Sequence, residues 1–454
     1  MDEQFDLVVR GGDVVTAHER FAADVAVRGR RIAALGHGLR GRREIDASGC
    51  LVLPGAIDGH VHMRTERGYD MYDDTFETGS VAAAFGGVTT MIDQAQVEPG
   101  QSLADGLDAR LAAAEGRSLI DYGFHVNLRE ASRERIAEIP ELIARGFPRF
   151  KFFMFYDGYF LPDEYIFAAM QEVGRGGGLA IVHAENRPVI LELARQNAEA
   201  GRHGAAANAA ARPPVIEGEA THRALAMAAV AGTDVLIFHM TTQDGARELA
   251  AARARGQTAY GEVCPQYLLL TEEAWADPVS GPALDFSPPL RGAEHRDALW
   301  RALGDGVIDV VSTDHGPRRR VTDEEGRVTT PPGTSGIETR LALMYTEGVR
   351  AGRLSVNRWL DSCCTRPAAV FGLERKGRLL PGADADVVVF DPERELTLGP
   401  DVLHSAIDHS TYEGMTVRGW PRTTIAGGEV LVHDGEQLAD VGRGALLRAV
   451  RDSA

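Results

Sequence analysis

Two histidines stand one residue apart directly after an apolar run, in the stretch GAIDGHVHMRTERGYD. Side chains alternate along a strand, so His60 and His62 point the same way and can share one ligand. Two imidazoles that converge on one point are a good first pair of metal ligands. The spacing therefore predicts a metal site at a strand end, against the plainer alternative of ordinary polar residues where a strand stops.

Four further reactive residues each stand in or at the end of an apolar run of strand length. They are Lys151 in FPRFKFFMFY, His183 in AIVHAEN, His239 in LIFHMTT and Asp314 in VVSTDHGP. A single histidine in such a place is most often a hydrogen-bonded core residue. Packing alone is a poor explanation for reactive residues at successive run ends, so we expect all of them to share one site.

These residues suit two divalent metal ions. Four imidazoles and one carboxylate provide five ligands, and Lys151 can supply a bridging ligand if carbon dioxide converts it to N6-carboxylysine. Two metals about 3.5–4 Å apart can hold a bridging hydroxide at neutral pH and polarise a carbonyl group. Asp314 can ligate one metal and carry a proton from the hydroxide to a leaving nitrogen. Zinc is the expected metal, with manganese and cobalt as alternatives.

The segments around these residues alternate between short apolar strands and helices rich in alanine and leucine. GVTTMIDQ, DYGFHVNL and DVLIFHMT are typical of strands, and LADGLDARLAAAEG and GARELAAARARG are typical of helices. Repeated strand–helix units predict an α/β fold with a (β/α)8 TIM-like barrel. Catalytic residues of such barrels lie at the carboxyl ends of the strands, which is where the reactive residues fall.

Both ends of the chain differ from this pattern. FDLVVRGGDVVT near the start and TTIAGGEVLVHDGE near the end are sequences of strands and glycine-containing turns, and they predict a small β-sandwich domain built from the N- and C-terminal segments. The predicted division assigns residues 1–54 and 373–454 to that domain, the second segment including an oligomerisation tail. Residues 55–372 form the metal-dependent catalytic barrel.

Composition excludes some classes of partner. The 454 residues carry a formal net charge of −18, so neither nucleic acid nor an anionic membrane is expected as a partner, because phosphates need clustered Lys and Arg. The start MDEQFD lacks the apolar core of a signal peptide, and the window ALAMAAVAGTDVLIF is too short to span a bilayer. Four cysteines without disulfide-like or zinc-like spacing favour a reducing, cytoplasmic location: Cys50, Cys264, Cys363 and Cys364.

The strand-end residues resemble those of the amidohydrolase superfamily, and within it the chain is similar to the hydantoinase/dihydropyrimidinase group of cyclic amidohydrolases. Ordered matches cover nearly the whole chain, among them LPGAIDGHVH, FKFFMFY, VHAEN, RPPVIEGEAT, GEVCPQYL, SPPLR, VSTDHGP and KGRLLPGADADVVVFDP. The resemblance implies a dinuclear metal-dependent hydrolase that opens a cyclic amide or ureide by attack of a metal-bridging hydroxide. The family's metal-site positions are all filled, by His60, His62, Lys151, His183, His239 and Asp314.

The resemblance also implies residues that contact the substrate. Tyr156 matches the family tyrosine that hydrogen-bonds the developing oxyanion, a role that suits a phenol donor, and aromatic packing is its alternative. Ser287 in FSPPLR matches the serine that contacts the ring amide, and its alternative is a turn residue before two prolines. The family's asparagine-containing loop is PPGTSGIETR here, so Ser335 or its neighbours take that place, with backbone groups still able to bind the ring.

The loop after His62 is unusual for the group. Typical hydantoinases have an apolar loop there, whereas MRTERGYDMYDD contains Arg64 and Arg67. Arg64 also matches the arginine that binds the substrate carboxylate in dihydroorotases, which favours a polar or anionic substituent on the ring. Pairing of both arginines with acidic residues of a solvated loop explains them about equally well. The M-P-N segment that accompanies the dihydroorotase arginine is replaced by IDQAQ, which argues against a true dihydroorotase.

Three alternatives to hydantoin or dihydropyrimidine hydrolysis follow. The chain could hydrolyse a polar or anionic cyclic ureide as allantoinases and dihydroorotases do, or it could hydrolyse a cyclic imide. It could also be a non-catalytic binding protein like some vertebrate relatives, although these have lost metal ligands that this chain retains. Family members are commonly homotetramers or dimers, so the resemblance implies a homo-oligomer that acts on a small-molecule cyclic amide.

Overall fold

The N-terminal strands begin a sheet outside the barrel. The computed structural model describes residues 4–65, 71–277, 281–322, 326 and 328–449. Its first five strands are β1 Phe5–Val15, β2 Arg20–Arg28, β3 Arg31–Gly36, β4 Gly41–Asp46 and β5 Leu51–Pro54. A register shift between Val9 and Gly12 divides β1, whose first half pairs with β4 and whose second half pairs with β5. The division lets one long strand, β1, pair with two different strands along its length.

Eight parallel strands form the barrel. They are β6 Ala56–Val61, β7 Val88–Ala95, β8 Asp121–Asn127, β9 Arg149–Phe153, β10 Leu179–His183, β11 Asp234–Ile237, β12 Ala259–Val263 and β13 Val310–Val311. They are hydrogen-bonded in chain order from β6 to β13. The strands are buried almost throughout, as expected where helices cover a parallel sheet and side chains fill the interior.

The barrel closes between its first and last strands. Val61 and His315 form a parallel bridge. The His62 backbone N–H donates to the His315 carbonyl at 2.6 Å, and the His315 N–H donates to the His60 carbonyl at 3.3 Å. Closure places the residues that follow β6 directly beside those that follow β13.

Helices alternate with the barrel strands along the chain. The α-helices are α1 Phe76–Phe85, α2 Leu103–Ala114, α3 Arg133–Ile136, α4 Ile139–Ala144, α5 Asp163–Arg175, α6 Arg187–Glu199, α7 Ala205–Ala210, α8 Pro214–Ala231, α9 Gln243–Ala254, α10 Pro265–Leu269, α11 Ala293–Gly304, α12 Arg340–Leu343, α13 Val356–Leu360 and α14 Arg366–Val370. Short 3-10 helices cover Glu272–Ala276 and Gly281–Leu284, and π-helical turns cover Met344–Arg350 and Asp361–Thr365. Among the described residues, none of the helices has the length and apolar character needed to cross a membrane.

The C-terminal strands complete the sheet that β1–β5 begin. After a small hairpin of β14 Val321–Thr322 and β15 Val328–Thr329, the strands are β16 Val387–Thr397, β17 Thr416–Ala426, β18 Glu429–His433 and β19 Glu436–Gln437. β16 pairs antiparallel with β5, so both ends of the chain share one nine-stranded sheet and one apolar core. The predicted fold, a TIM-like barrel with a β domain from both termini, is confirmed.

Two contacts join this sheet to the barrel. The buried Lys376 ammonium lies 2.5 Å from Asp121 of β8 and 2.8 Å from Asp386 beside β16. Beyond β19, the chain returns to the barrel, where the Leu447 N–H donates to the Tyr122 carbonyl at 2.7 Å. The last described residues therefore pack on the barrel, and the predicted domain limits stay a prediction.

Candidate active site

The predicted metal-site residues lie in or just after barrel strands, and all except Lys151 lie at the carboxyl end. His60 lies in β6 and His62 just after it, Lys151 lies in β9, His183 ends β10, His239 follows β11 and Asp314 follows β13. Parallel strands direct these ends to one face of the barrel. The structure therefore brings together residues that are up to 254 positions apart in the chain.

His60, His62 and Asp314 form one compact group. One potential ligand atom from each lies within 4.8 Å of the others. Nε2 of His62 is 2.9 Å from Oδ1 of Asp314, and Nε2 of His60 is 3.1 Å from the same oxygen. Barrel closure makes this group, because the first and last strands supply its members.

His183 and His239 form a second group beside the first. Nδ1 of His183 lies 2.9 Å from Nε2 of His239. The ring centroids of His239 and His60 are 5.6 Å apart, so the two groups adjoin. Five of the six predicted residues thus face one small volume at the barrel mouth.

Two buried glutamates determine which ring nitrogen of His60 and of His183 keeps a lone pair for a metal ion. Glu262 of β12 lies 2.9 Å from Nδ1 of His60, and Glu185 lies 2.7 Å from Nε2 of His183. A carboxylate accepts a hydrogen bond from the ring N–H that it faces, which orients the ring and leaves the other nitrogen with its lone pair available. The remaining nitrogens are Nε2 of His60 and Nδ1 of His183, the same two that face the cluster.

Sequence reasoning missed both glutamates, although signals for them exist. Glu185 stands two residues after His183, the same spacing as in the first histidine pair, so it too could have been placed beside its histidine. Glu262 is a carboxylate inside the otherwise uncharged strand AYGEV, where an ionised group is costly without a partner. Its partner, His60, is 202 residues away and could not be named from the sequence.

Lys151 is buried beneath the histidines. Its side chain is almost fully buried, and Nζ has no hydrogen-bond partner among the described residues. Nζ lies 4.0 Å from the centroid of the Phe238 ring. Burial lowers the pKa of Lys151 to about 7, despite the opposing charges of Glu262 and Asp314. A substantial fraction of this amine is therefore uncharged at neutral pH.

Three of the metal-site histidines favour the neutral form. Burial lowers the pKa of His62 and of His183, and it lowers the pKa of His239 far below its ordinary value with the help of the His183 and Lys151 charges. Burial alone would raise the pKa of Asp314, but the charge of His60 and the hydrogen bond to His62 hold that pKa well below its usual range. The site thus favours neutral imidazoles at His62, His183 and His239 and an ionised carboxylate at Asp314.

This donor set fits divalent metal ions. Metal binding requires neutral imidazole and ionised carboxylate, which are the protonation states that the site favours. The converging nitrogens of His183 and His239 are only 2.9 Å apart, and the Lys151 amine is buried with no hydrogen-bond acceptor among the described residues. Such nitrogens, gathered beside one carboxylate, are the ligands that zinc and similar ions prefer.

Three site residues hold an uncommon backbone conformation. Tyr156, His239 and Asp314 have φ values of 71°, 37° and 54°, in a region that favours glycine. Non-glycine residues seldom adopt positive φ, and such strain clusters at functional sites. For His239 and Asp314 the turn comes directly after a strand, where it helps direct the side chain to the barrel mouth.

Tyr156 and Ser287 meet beside the histidines. The Tyr156 hydroxyl donates to the Ser287 carbonyl at 2.9 Å, and its ring centroid lies 4.7 Å from that of His183. Burial raises the pKa of Tyr156 well above its ordinary value, so the phenol stays protonated and remains a hydrogen-bond donor. Both residues line the cavity described next.

A cavity of about 530 Å³ opens over this cluster. His62, Asp314, Tyr156 and Ser287 line its inner part, which we call the floor. A wall is formed by the α6–α7 hairpin, residues 187–212, which contributes both small and polar side chains. The floor is therefore built from strand ends, and the wall is built from a helical insertion between β10 and β11.

Two other predicted residues lie elsewhere. Ser335 is buried, and its hydroxyl accepts from the Thr411 N–H at 3.0 Å, while its neighbour Thr334 lines the cavity. Arg64 is exposed, and the cavity-lining residues in the described part of the chain do not include it, although Tyr72 from the same loop is one of them. Arg67 lies outside the described residues.

Comparisons with known proteins agree with this geometry. Residues 51–431 match the model of the amidohydrolase family. The chain is 40% identical to a D-hydantoinase of Streptomyces coelicolor over 96% of this chain and 97% of that protein. Two solved structures have the same fold over almost the whole length of both chains. The first is a D-hydantoinase of Bacillus sp. AR9, which is 37% identical with a TM-score of 0.93 over 99% of this chain and 100% of that chain. The second is a dihydropyrimidinase of Brevibacillus agri, which is 34% identical with a TM-score of 0.92 over 98% of this chain and 99% of that chain.

Proposed function

The chain belongs to the amidohydrolase family, in its hydantoinase/dihydropyrimidinase group, and from that membership we propose that it is a metal-dependent hydrolase that opens the ring of a cyclic amide or ureide. Hydantoins and dihydropyrimidines are the proposed substrate type. The observation that carries the proposal is the cluster of imidazole nitrogens and one carboxylate at the floor of a substrate-sized cavity.

We propose that two metal ions bind at this cluster, with zinc as the first choice. The ligands would be His60, His62, His183, His239, Asp314 and a modified Lys151. The chemistry that two such ions supply is activation of a water molecule at neutral pH and polarisation of a carbonyl group. Glu185 and Glu262 would keep two of the imidazoles in the tautomer and orientation that this binding needs.

Lys151 is proposed to carry carbon dioxide as N6-carboxylysine. Its neutral amine can attack carbon dioxide to form a carbamate, with release of one proton. The low pKa of about 7 supports this step, because the attacking amine must be uncharged. The product replaces a buried cation by a bidentate anion beside the histidines, which removes repulsion toward bound cations.

Asp314, Tyr156 and Ser287 are proposed to act on the substrate. The Asp314 carboxylate would take the proton of the attacking water and pass it to the ring nitrogen as the C–N bond breaks. The Tyr156 hydroxyl would donate to the carbonyl oxygen as negative charge develops there. The Ser287 carbonyl, which this hydroxyl contacts now, would accept from a ring N–H.

The loop at 334–335 is proposed to bind the ring through its backbone. Thr334 lines the cavity, and Ser335 is held to Thr411, which fixes the loop. Arg64 is proposed as a substrate contact only from its match to the dihydroorotase arginine, because it is exposed and is not among the described residues that line this cavity. Hydrolysis of allantoin, dihydroorotate or a cyclic imide remains the enzymatic alternative.

Further properties are proposed with the function. The complete set of candidate ligands supports an enzyme and not a metal-free binding protein. Four buried free cysteines support a reducing, cytoplasmic location. A homotetramer or dimer is proposed from the group to which the chain belongs.

The proposal is tested by a hydrolysis panel on zinc-loaded protein with hydantoin, dihydrouracil, allantoin, dihydroorotate and phthalimide. We expect two metal ions per chain and opening of at least one of the first two rings. Asp314→Asn should lower that rate by about 10²–10⁴, because it removes the group proposed to transfer the proton. Failure to open any ring with two metals bound, or full activity of Asp314→Asn, would contradict the proposal.

A further inference from the structure

The wall of the cavity has a composition unlike its floor. Five small residues of the α6–α7 hairpin line it: Ala194, Ala198, Gly204, Ala207 and Ala211. Small side chains leave room, and about 530 Å³ lies within the range of pockets that take ligands much larger than a bare ring, roughly 300–1,000 Å³. The space over the floor therefore suits a ring that carries a substituent.

The longer side chains on this wall are polar. Arg202 and His203 come from the turn between the helices, and Asn197 and Asn208 come from the helices themselves. The two asparagines already have hydrogen-bond partners in the protein, whereas an apolar substituent would bring no hydrogen-bond acceptor to the guanidinium of Arg202. The wall therefore favours a substituent with hydrogen-bonding or charged groups.

Arg202 is held in a fixed position. Its Nε and Nη2 both donate to Oδ1 of Asn197, at 3.0 and 2.7 Å, and its backbone N–H donates to the Asn197 carbonyl. The buried Asn197 amide in turn donates to the Ala207 carbonyl of the second helix at 2.8 Å. These bonds use one edge of the guanidinium and leave its other edge, formed by Nη1 and Nη2, for a ligand.

Arg202 is also the cation of this wall that lacks a carboxylate partner. Arg212 lies 2.9 Å from Glu185, which neutralises it. Within the described ranges, the ion pairs of the structure do not include Arg202. Asp285 also lines the cavity, but its carboxylate accepts a hydrogen bond from Asn208 at 2.7 Å. The charge of Arg202, on the exposed side of the cavity, is thus available to a ligand in a chain whose formal net charge is −18.

From this we infer that the substrate carries an anionic substituent, such as a carboxylate on a short alkyl arm, which Arg202 binds while the ring lies on the floor beside Tyr156. The inference rests on the proposed function and adds the class of substrate. A planar guanidinium edge matches a carboxylate through two parallel hydrogen bonds, a geometry that an amide or an alkyl group cannot reproduce. His203 lies next to Arg202 in the turn and adds positive charge when protonated.

The test uses substrates matched in shape. Racemic hydantoins with a 2-carboxyethyl or a 2-carbamoylethyl arm at C5 differ in charge and hardly in size, and unsubstituted hydantoin and dihydrouracil report the ring-opening activity itself. In the zinc-loaded protein, kcat/KM for the carboxylate should exceed that for the carboxamide by about tenfold, the effect of one charged hydrogen bond. The difference should lie in KM, and it should shrink as salt is added.

The same pair is then measured with Arg202→Met, which removes the charged guanidinium and keeps an unbranched side chain. The carboxylate-to-carboxamide ratio should fall to about one in this variant. Arg195→Met is the control, because Arg195 is an exposed arginine of the same hairpin that pairs with Glu192 and lies off the cavity; its ratio should equal that of the unchanged protein.

Two results overturn the inference alone: a ratio of one or less in the unchanged protein, or an unchanged ratio in Arg202→Met, while bare rings are still opened. Absence of hydrolysis for every ring overturns the proposed function, and the inference with it.

Discussion

The floor and the wall of the cavity are built on different principles. The floor lies over the ends of buried parallel strands, where Glu262 contacts and orients the ring of His60. Wall residues stand on a helical hairpin with much exposed surface, where the position of Arg202 depends on Asn197 alone. With the proposed reaction on one element and the inferred substrate contact on the other, the same fold could keep its reaction and vary its substrate.

The largest loss of activity should come from the residues beneath the floor. Lys151→Met removes the residue proposed to bridge the metals, so ring opening should fall by about a thousandfold, as when one preorganised catalytic group is lost. Metal content, measured by atomic emission, should fall below two ions per chain.

The sequence has a second lysine, Lys376, which serves as an internal control for the modification of Lys151. Mass spectrometry of the native protein should find the added mass of carbon dioxide on Lys151 and not on Lys376, and the reverse would contradict the assignment.

A second effect concerns the residues behind the floor. Glu185→Gln and Glu262→Gln should weaken zinc binding by about 10–100-fold, because loss of a carboxylate that orients a ligand histidine has that effect. Competition with a chelator measures the affinity directly. The control is Glu248→Gln, since Glu248 also contacts a histidine, at 2.8 Å, but at the surface. Equal zinc affinity in all three variants would show that the buried pairs only pack the barrel.

A third effect is a pH dependence of activation. The Lys151 amine, with a pKa of about 7, is protonated and unreactive below that pH and neutral above it. The rate at which zinc and bicarbonate activate metal-free protein should therefore rise about tenfold per unit below pH 7 and level off above it. Activity measured in samples taken at successive times, at a fixed carbon dioxide concentration, gives this activation rate at each pH. An activation rate that does not change between about pH 5 and about pH 8 would contradict carbamate formation at Lys151.

The smallest effect should come from Arg64, which belongs to neither floor nor wall. Arg64→Ala should change kcat/KM for any ring by no more than about twofold, since surface substitutions usually shift a free energy by about 0.5 kcal/mol or less. Tyr72→Ala, from the same loop but lining the cavity, is the comparison and should raise KM. A large loss of activity toward carboxylate-bearing rings in Arg64→Ala would move the anion site from the wall to this loop.

Much of the floor could be predicted from the sequence. Spacing along a strand decides which side chains share a face, so His60 and His62 could be paired by their positions alone. Each of the other reactive residues ends or interrupts an apolar run, and the repeated strand–helix pattern predicts where such runs converge. These features depend on local periodicity, which a sequence displays directly.

Other features were decided by the tertiary structure. The contact of Glu262 with His60, the turn of Ser335 toward Thr411 and the exposed position of Arg64 join or separate residues that lie far apart in the chain or on irregular loops. Such contacts depend on barrel closure, on strand register and on how the α6–α7 hairpin folds back over the mouth. The sequence by itself therefore determined the barrel and the residues that end its strands. Only packing between distant segments decided which carboxylates hold those residues and which cations line the cavity.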